Sequence, residues 1–289
     1  MNVKKIGFIG TGVMGGSMAK HLLEGGYHIN VYTRTKEKAT ELLDAGASWY
    51  ETPAELAADS DVVITMVGFP SDVEEVYIGT HGILKHAKPG TYFIDMTTSS
   101  PSLAIQISRE AEKRGMFALD APVSGGDVGA KNGTLTIMVG GEEKPFQDMM
   151  PILTLLGQNI VLQGSAGSGQ HTKMCNQIAI ASNMVGVCEA LAYAKKTGLD
   201  PEKVLTSISA GAAGSWSLSN LAPRIINDNF EPGFYIKHFI KDMKIAIDEA
   251  EKMNLHVPGL SLAKQLYESV SQLGEENSGT QALFKLWNN

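Results

Sequence analysis

Along the first half of the chain, short apolar runs alternate with stretches whose apolar positions recur every three or four residues. Ile6-Gly7-Phe8-Ile9, Ile29-Asn30-Val31-Tyr32, Val62-Val63-Ile64-Thr65 and Tyr92-Phe93-Ile94 have the continuous apolar character of strands buried on both faces. Helical segments are expected between them, over roughly residues 14–25, 36–45, 53–58, 71–77 and 101–114. Such alternation predicts a parallel sheet with helices on both faces. Two further strand-like runs, Thr134–Val139 and Asn159–Leu162, extend the sheet at one edge.

The pattern changes at Gly164-Ser165-Ala166-Gly167-Ser168-Gly169, and nothing strand-like recurs after it. From Gln170 to Lys196 the spacing predicts one long helix that ends at Gly198. Asp200-Pro201-Glu202 then supplies a cap residue, a first-turn proline and a first-turn acid, the signature of a helix start. Further helices are expected over roughly 216–227, 236–253, 258–273 and 280–287. The boundary falls near residue 164, between an α/β domain (1–164) and an all-helical one (165–289) that begins with a long interdomain helix.

Composition narrows the classes of function. Of 289 residues, 43% are hydrophobic and 19% charged, a globular balance. The formal net charge is −7, with Lys and Arg scattered, so nucleic acid is not expected as a partner: phosphate binding needs a concentrated basic face. Met1-Asn2-Val3-Lys4-Lys5 leads into the first strand without a signal-peptide core, which predicts a cytoplasmic protein. Met174–Cys188 carries no charge but is too short for a bilayer and includes Asn176, Gln177, Ser182 and Asn183, so a core helix rather than a membrane span is expected. Cys175 and Cys188 on one helix would stand about 20 Å apart, too far for a disulfide.

Gly10-Thr11-Gly12-Val13-Met14-Gly15 follows a strand and opens a helix at the start of the β/α series, the setting in which a glycine pattern marks a dinucleotide site. Gly10 would make the tight turn, Gly12 would admit the pyrophosphate to the backbone, and Gly15 would let helix and strand pack closely. The helix N-terminus supplies positive potential that an acidic chain otherwise lacks. The expected fold is therefore a Rossmann-type doubly wound parallel sheet followed by the helical domain. After the second strand come Thr33-Arg34-Thr35, with no acid to accept from a ribose 2′-hydroxyl. Arg34 is either a partner for a 2′-phosphate, flanked by two donors, or a solvated loop arginine. The first alternative favours NADP(H), with NAD(H) as the second cofactor.

Asp120-Ala121-Pro122-Val123-Ser124-Gly125-Gly126 is either an ordinary turn or a nest of N–H groups for an anion. Lys173 opens the long helix just before fifteen uncharged residues. It is either a lysine snorkelling at a helix end or one whose pKa burial and the helix dipole lower toward neutrality, where acid–base catalysis works best. Asn176 and Gln177 follow three and four residues later on the same face. His171 and His238 lack metal-ligand spacing, and no metal is expected. Trp216 is either a cap on a substrate pocket or a core side chain.

Four segments in register resemble the β-hydroxyacid dehydrogenase family, which includes 3-hydroxyisobutyrate dehydrogenase, tartronate semialdehyde reductase and glyoxylate/succinic semialdehyde reductase. Gly7–Gly15 is similar to its cofactor signature, Asp120–Gly126 to its carboxylate signature, Gly167–Gln177 to its catalytic signature, and Lys241-Asp242 to a Lys-Asp pair on a later helix. The resemblance implies hydride transfer between NADP(H) and a small carboxylic acid bearing a hydroxyl or aldehyde, in a cleft between the two domains. It further implies Lys173 as proton donor and acceptor, and Ser124, Gly125 and Gly126 as holders of the carboxylate. Asn176 and Gln177 would orient the substrate, and Lys241 would line the nicotinamide end. Thr97 and the Met66-Val67 stretch would contact the cofactor, and relatives are dimers or tetramers. Gln177 departs from the family, which often has Asn there. An imine reductase of the same architecture, or an NADP(H)-binding protein without chemistry, are the alternatives.

Overall fold

Six parallel strands are laid down by the apolar runs of the first half: β1 (Lys5–Ile9), β2 (His28–Tyr32), β3 (Ser48–Trp49), β4 (Val62–Thr65), β5 (Tyr92–Asp95) and β6 (Phe117–Asp120). The edge is completed by β7 (Val123–Ser124), β8 (Leu135–Gly140) and β9 (Gly157–Gly164). The order is β3-β2-β1-β4-β5-β6-β8-β7, with β9 on β8; β8 runs antiparallel to β6 and β7, and β9 parallel to β8. The structure is a computed structural model that describes residues 3–287. Met1 and Asn2, read above as the lead-in to the first strand, lie outside the described residues.

Burial on both faces is visible residue by residue. Ile6 and Phe8 of β1, Val62 and Ile64 of β4, and Tyr92 and Ile94 of β5 join one apolar core, while Ile9, Val63 and Phe93 join another. Alternate side chains of one strand point to opposite faces, so each strand must be apolar throughout. Each large side chain so buried stabilises the fold by about 1.5–3 kcal/mol relative to exposure. The covering helices are α1 (Val13–Glu24), α2 (Thr40–Asp44), α3 (Pro53–Ala58), α4 (Pro70–Ile78), α5 (Pro101–Glu112), α6 (Gly126–Asn132) and α7 (Glu143–Leu153). Local chemistry starts several of them: Thr52 Oγ1 accepts from Glu55 N at 3.2 Å before Pro53, and Ser100 Oγ accepts from Leu103 N at 3.2 Å before Pro101. Sequence reading passed over α7 because Pro145 and Pro151 interrupt its pattern; Pro145 sits in the first turn, where an N–H has no helical partner to lose, while Pro151 lies inside the helix and costs it one hydrogen bond.

The long helix α8 spans Ser168–Lys196. The chain divides into two units, Met1–Lys173 and Met174–Asn289, and the division falls inside this helix, nine residues beyond the break in sequence pattern at 164. In the second unit, α8 residues Met174, Ala181, Met184, Cys188 and Leu191 share a core with α12 (Ile236–Lys252) and α13 (Pro258–Val270). Between them lie α9 (Pro201–Ile208), α10 (Trp216–Asn220) and α11 (Ala222–Ile226). The expected start at Asp200 is present, its carboxylate accepting from Glu202 N at 3.0 Å. Three expectations change. The single helix over 216–227 is two short ones meeting at Leu221, with Pro223 in the first turn of the second. The stretch 258–273 leaves α-geometry at Ser271 for a wider turn in which Gly274 has φ 90°, and Thr280–Trp287 is 3₁₀ rather than α.

α8 is long and apolar enough to cross a membrane by length and composition alone. Its N-terminus, however, is hydrogen-bonded into the first unit and its apolar side chains fill the core of the second. Both cysteines lie on it, unpaired; Cys175 is exposed, and burial pushes the Cys188 thiol up.

Candidate active site

The glycine loop between β1 and α1 has the geometry its sequence implies. Gly10 has φ 97°, and a Cβ there would collide with the Met66 carbonyl; one on Gly15 would collide with the Gly10 carbonyl. Around Gly12, by contrast, a Cβ would meet nothing within 4 Å, so the first turn of α1 keeps an open approach. Beside it, Thr11 is 3% exposed and its Oγ1 has no hydrogen-bond partner. A buried hydroxyl without a partner costs roughly 1–3 kcal/mol, a cost relieved by a ligand oxygen. Open backbone, an orphan donor and a helix N-terminus together fit the pyrophosphate of a dinucleotide. Val13 and Met14 continue into α1, with Val13 60% exposed.

At the end of β2, Thr33 is half-buried while Arg34 and Thr35 are exposed. Sequence reading found no acid here, but the fold brings one from α4: Asp72 Oδ1 lies 3.2 Å from Arg34 Nη1. The other oxygen, Oδ2, accepts from Phe69 N at 3.0 Å and so caps α4. The two residues are far apart in sequence, and nothing in the local pattern announces the pair.

The strand ends form a buried polar network. Asp95 and Asp120 are register partners on β5 and β6. Asp95 Oδ1 accepts from Thr65 Oγ1 at 2.8 Å and Thr97 N at 3.1 Å, and Thr97 Oγ1 accepts from Val67 N at 3.0 Å. Thr97 is 1% exposed, and its hydroxyl ties down the Met66-Val67 turn. Burial raises the Asp95 carboxyl to about 6 against these hydrogen bonds.

Asp120 reaches across to α8. Its Oδ1 accepts from Gly167 N at 2.7 Å and its Oδ2 from Gln170 N at 2.8 Å, so a carboxylate occupies the positive end of the helix. Burial still raises its pKa, with the two backbone donors opposing. Gln170 completes the clamp: its Oε1 accepts from Ser99 N at 2.9 Å and its Nε2 donates to Thr97 O at 2.7 Å. These two buried residues, to which sequence reading gave no role of their own, fix where the first turns of α8 lie. Lys173, one turn further on, is 6% exposed, not the solvated lysine of the alternative reading.

Ser124 ends β7, and Gly125 and Gly126 follow with φ 131° and 62°, conformations closed to most side chains. Their positive φ values turn the chain sharply into α6.

In the second unit, Asn176 Nδ2 donates to Gln177 Oε1 at 2.7 Å, and Gln177 Nε2 donates to Asp242 Oδ2 at 2.6 Å. Asp242 Oδ1 is 2.9 Å from Lys241 Nζ. Gln177 is fully buried, both ends of its amide are hydrogen-bonded, and its length carries the amide to α12. Asn176 is half-buried and Lys241 is 13% exposed on its side chain. His238 is half-buried, and burial, then the Lys241 charge, lowers its pKa. Trp216 is 67% exposed, so core packing does not account for it.

Comparison with known proteins gives these features a class. A family model described as the NAD binding domain of 6-phosphogluconate dehydrogenase matches residues 5–164, and one described as NAD-binding of NADP-dependent 3-hydroxyisobutyrate dehydrogenase matches 167–287. An uncharacterized oxidoreductase, YkwC, of Bacillus subtilis is 65% identical over 98% of this chain and 99% of its own. A probable 3-hydroxyisobutyrate dehydrogenase-like protein 1, mitochondrial, of Arabidopsis thaliana is 49% identical over 96% of this chain and 84% of its own. The Mycobacterium tuberculosis 3-hydroxyisobutyrate dehydrogenase, solved with L-serine, superposes with a TM-score of 0.91 at 30% identity, covering 99% of this chain and 100% of that one. Fold, loop and relatives define an NAD-binding oxidoreductase. More narrowly, the chain belongs to the 3-hydroxyisobutyrate dehydrogenase family of β-hydroxyacid dehydrogenases.

Proposed function

We propose that this protein transfers hydride reversibly between NADP(H) and a small 3-hydroxy acid or its semialdehyde, with Lys173 as general acid and base. The observation that carries the reading is the burial of Lys173, 6% exposed, on a helix whose first turn is clamped by Asp120 and Gln170. A positioned amine shielded from water can move one proton along one path. The nicotinamide, when bound, supplies or accepts the hydride at the substrate carbon. In reduction Lys173 Nζ gives its proton to the aldehyde oxygen; in oxidation it takes the proton from the hydroxyl. Ser124 and the Gly125 and Gly126 N–H groups hold the carboxylate, Asn176 orients the reacting oxygen, and Lys241 lines the nicotinamide end. Gly10–Gly15 and Met66-Val67 hold the dinucleotide, and Thr33, Arg34 and Thr35 take its 2′-phosphate. Held at one end, the substrate presents its reacting carbon at near-attack distance, which supplies much of the rate gain.

The substrate class draws support from the M. tuberculosis relative: L-serine has a carboxylate and a hydroxyl on its third carbon. The same reading takes the protein as a cytoplasmic homodimer or homotetramer, in which the exposed α8 residues Cys175, Ala179, Ser182 and Gly186 are covered. The test is Lys173→Ala assayed by NADPH absorbance on a panel of semialdehydes and hydroxy acids. Turnover should fall by roughly two to four orders of magnitude while NADPH affinity stays close to the parent's. Full turnover in the variant would refute the role of Lys173, and equal use of NADH by the parent would refute the preference.

A further inference from the structure

The second unit contains an ion pair continued by two hydrogen bonds, whose direction is forced by their chemistry. The series begins at Lys241, whose ammonium lies 2.9 Å from Asp242 Oδ1. Asp242 is 1% exposed and, paired with an ammonium, can only accept. The group facing its Oδ2 at 2.6 Å must therefore be the NH₂ of Gln177, not the carbonyl. An amide has two unlike ends, so with Nε2 on the carboxylate, Oε1 turns to Asn176. Oε1 too can only accept, so Asn176 must offer it Nδ2, as it does at 2.7 Å. Neither amide could tell its ends apart by shape. Only the carboxylate at the far end breaks the tie.

Resting on the reading of Asn176 as a substrate contact, we infer that Lys241, Asp242 and Gln177 form a polarity relay that sets the amide orientation of Asn176. The relay spends one Nδ2 hydrogen and leaves the other to donate to the reacting oxygen, which accepts it as aldehyde and as hydroxyl alike while its own proton passes to or from Lys173. Gln177 and Asp242 are positioning residues. The glutamine is also required by length: an asparagine, one methylene shorter, would leave Asp242 Oδ2 without its donor.

The test is an exchange of partners in the full-length protein. In D242N the new amide keeps its oxygen on Lys241 and turns its NH₂ toward Gln177, so the relay reverses its direction and flips Asn176 with it. In Q177E two carboxylates face each other across 2.6 Å, a repulsive contact. In Q177E/D242N every donor again faces an acceptor: the amide at 242 accepts from Lys241 and donates to the carboxylate at 177, which also accepts from Asn176. D242N is expected to raise KM for the hydroxy acid by about tenfold or more, the effect of one misdirected buried hydrogen bond, with NADPH binding by fluorescence titration unchanged. Q177E/D242N should return KM to within about threefold of the parent. An unchanged KM in D242N, or a double variant no better than D242N with a parent-like melting temperature, would overturn the relay.

A second readout separates the relay from the proposed reaction. In ¹⁵N-edited NMR without ligand, the Asn176 side-chain amide should exchange slowly with solvent in the parent and in Q177E/D242N, and rapidly in Q177L. Rapid exchange in the parent would overturn the relay whatever the enzyme does. A parent that exchanges slowly but turns over no hydroxy acid would sink the functional reading and leave the relay standing.

Discussion

Replacing Asp95 with Asn should stabilise the protein at neutral pH and do so less as the pH falls. Asp95 is 6% exposed, and its carboxyl is raised from 3.8 to about 6 because burial penalises the charged form more than its hydrogen bonds favour it. The folded state thus binds the proton more tightly than the unfolded one, so stability is full at low pH and declines as pH rises through this range. The shift of 6 minus 3.8, at 1.36 kcal/mol per unit, gives about 3 kcal/mol lost once the pH is well above 6. Asparagine has the same shape, retains an oxygen for Thr65 Oγ1 and Thr97 N, and carries no charge. The gain of D95N over the parent should therefore grow by roughly 2 kcal/mol between about pH 4.5 and 7.5. Urea denaturation of both proteins at several pH values measures it, because groups common to both cancel. A difference that stays constant across the range would refute the claim that Asp95 is held ionised at a cost.

Three further outcomes are expected. Gly12→Ala should leave the melting temperature unchanged, since the added carbon meets nothing, yet weaken NADPH binding by fluorescence; unaltered binding would remove the pyrophosphate from this loop. Asp72→Asn should strengthen NADPH binding relative to NADH by freeing Arg34 from its ion pair while still capping α4, and calorimetric titration with both cofactors decides it. Asp120→Asn should destabilise the fold by about 1–3 kcal/mol, because its NH₂ faces one of the two N–H donors of α8, and chemical denaturation reads the loss.

Much of the candidate site was legible in the linear chain, because its chemistry is local. A dinucleotide turn needs glycines at fixed offsets between a strand and a helix, and Gly10, Gly12 and Gly15 meet that need within six residues. Lys173 stood out because a charge at the head of a long uncharged helix is unusual. The roles of Asp120, Gln170, Asp95 and Asp72 did not stand out, since each acts on a partner distant in sequence. Spacing puts Gln177 on the face of Lys173, but spacing says nothing of which helix waits opposite.

The order of strands and helices, the glycine turn and the change to an all-helical second half followed from the sequence, since periodicity and backbone chemistry act over a few residues. What the tertiary structure alone decided was which polar groups meet: Asp120 with the start of α8, Arg34 with Asp72, Gln177 with Asp242. Buried polar atoms must find partners wherever the chain happens to bring them, and that is set by how the elements pack rather than by distance along the sequence.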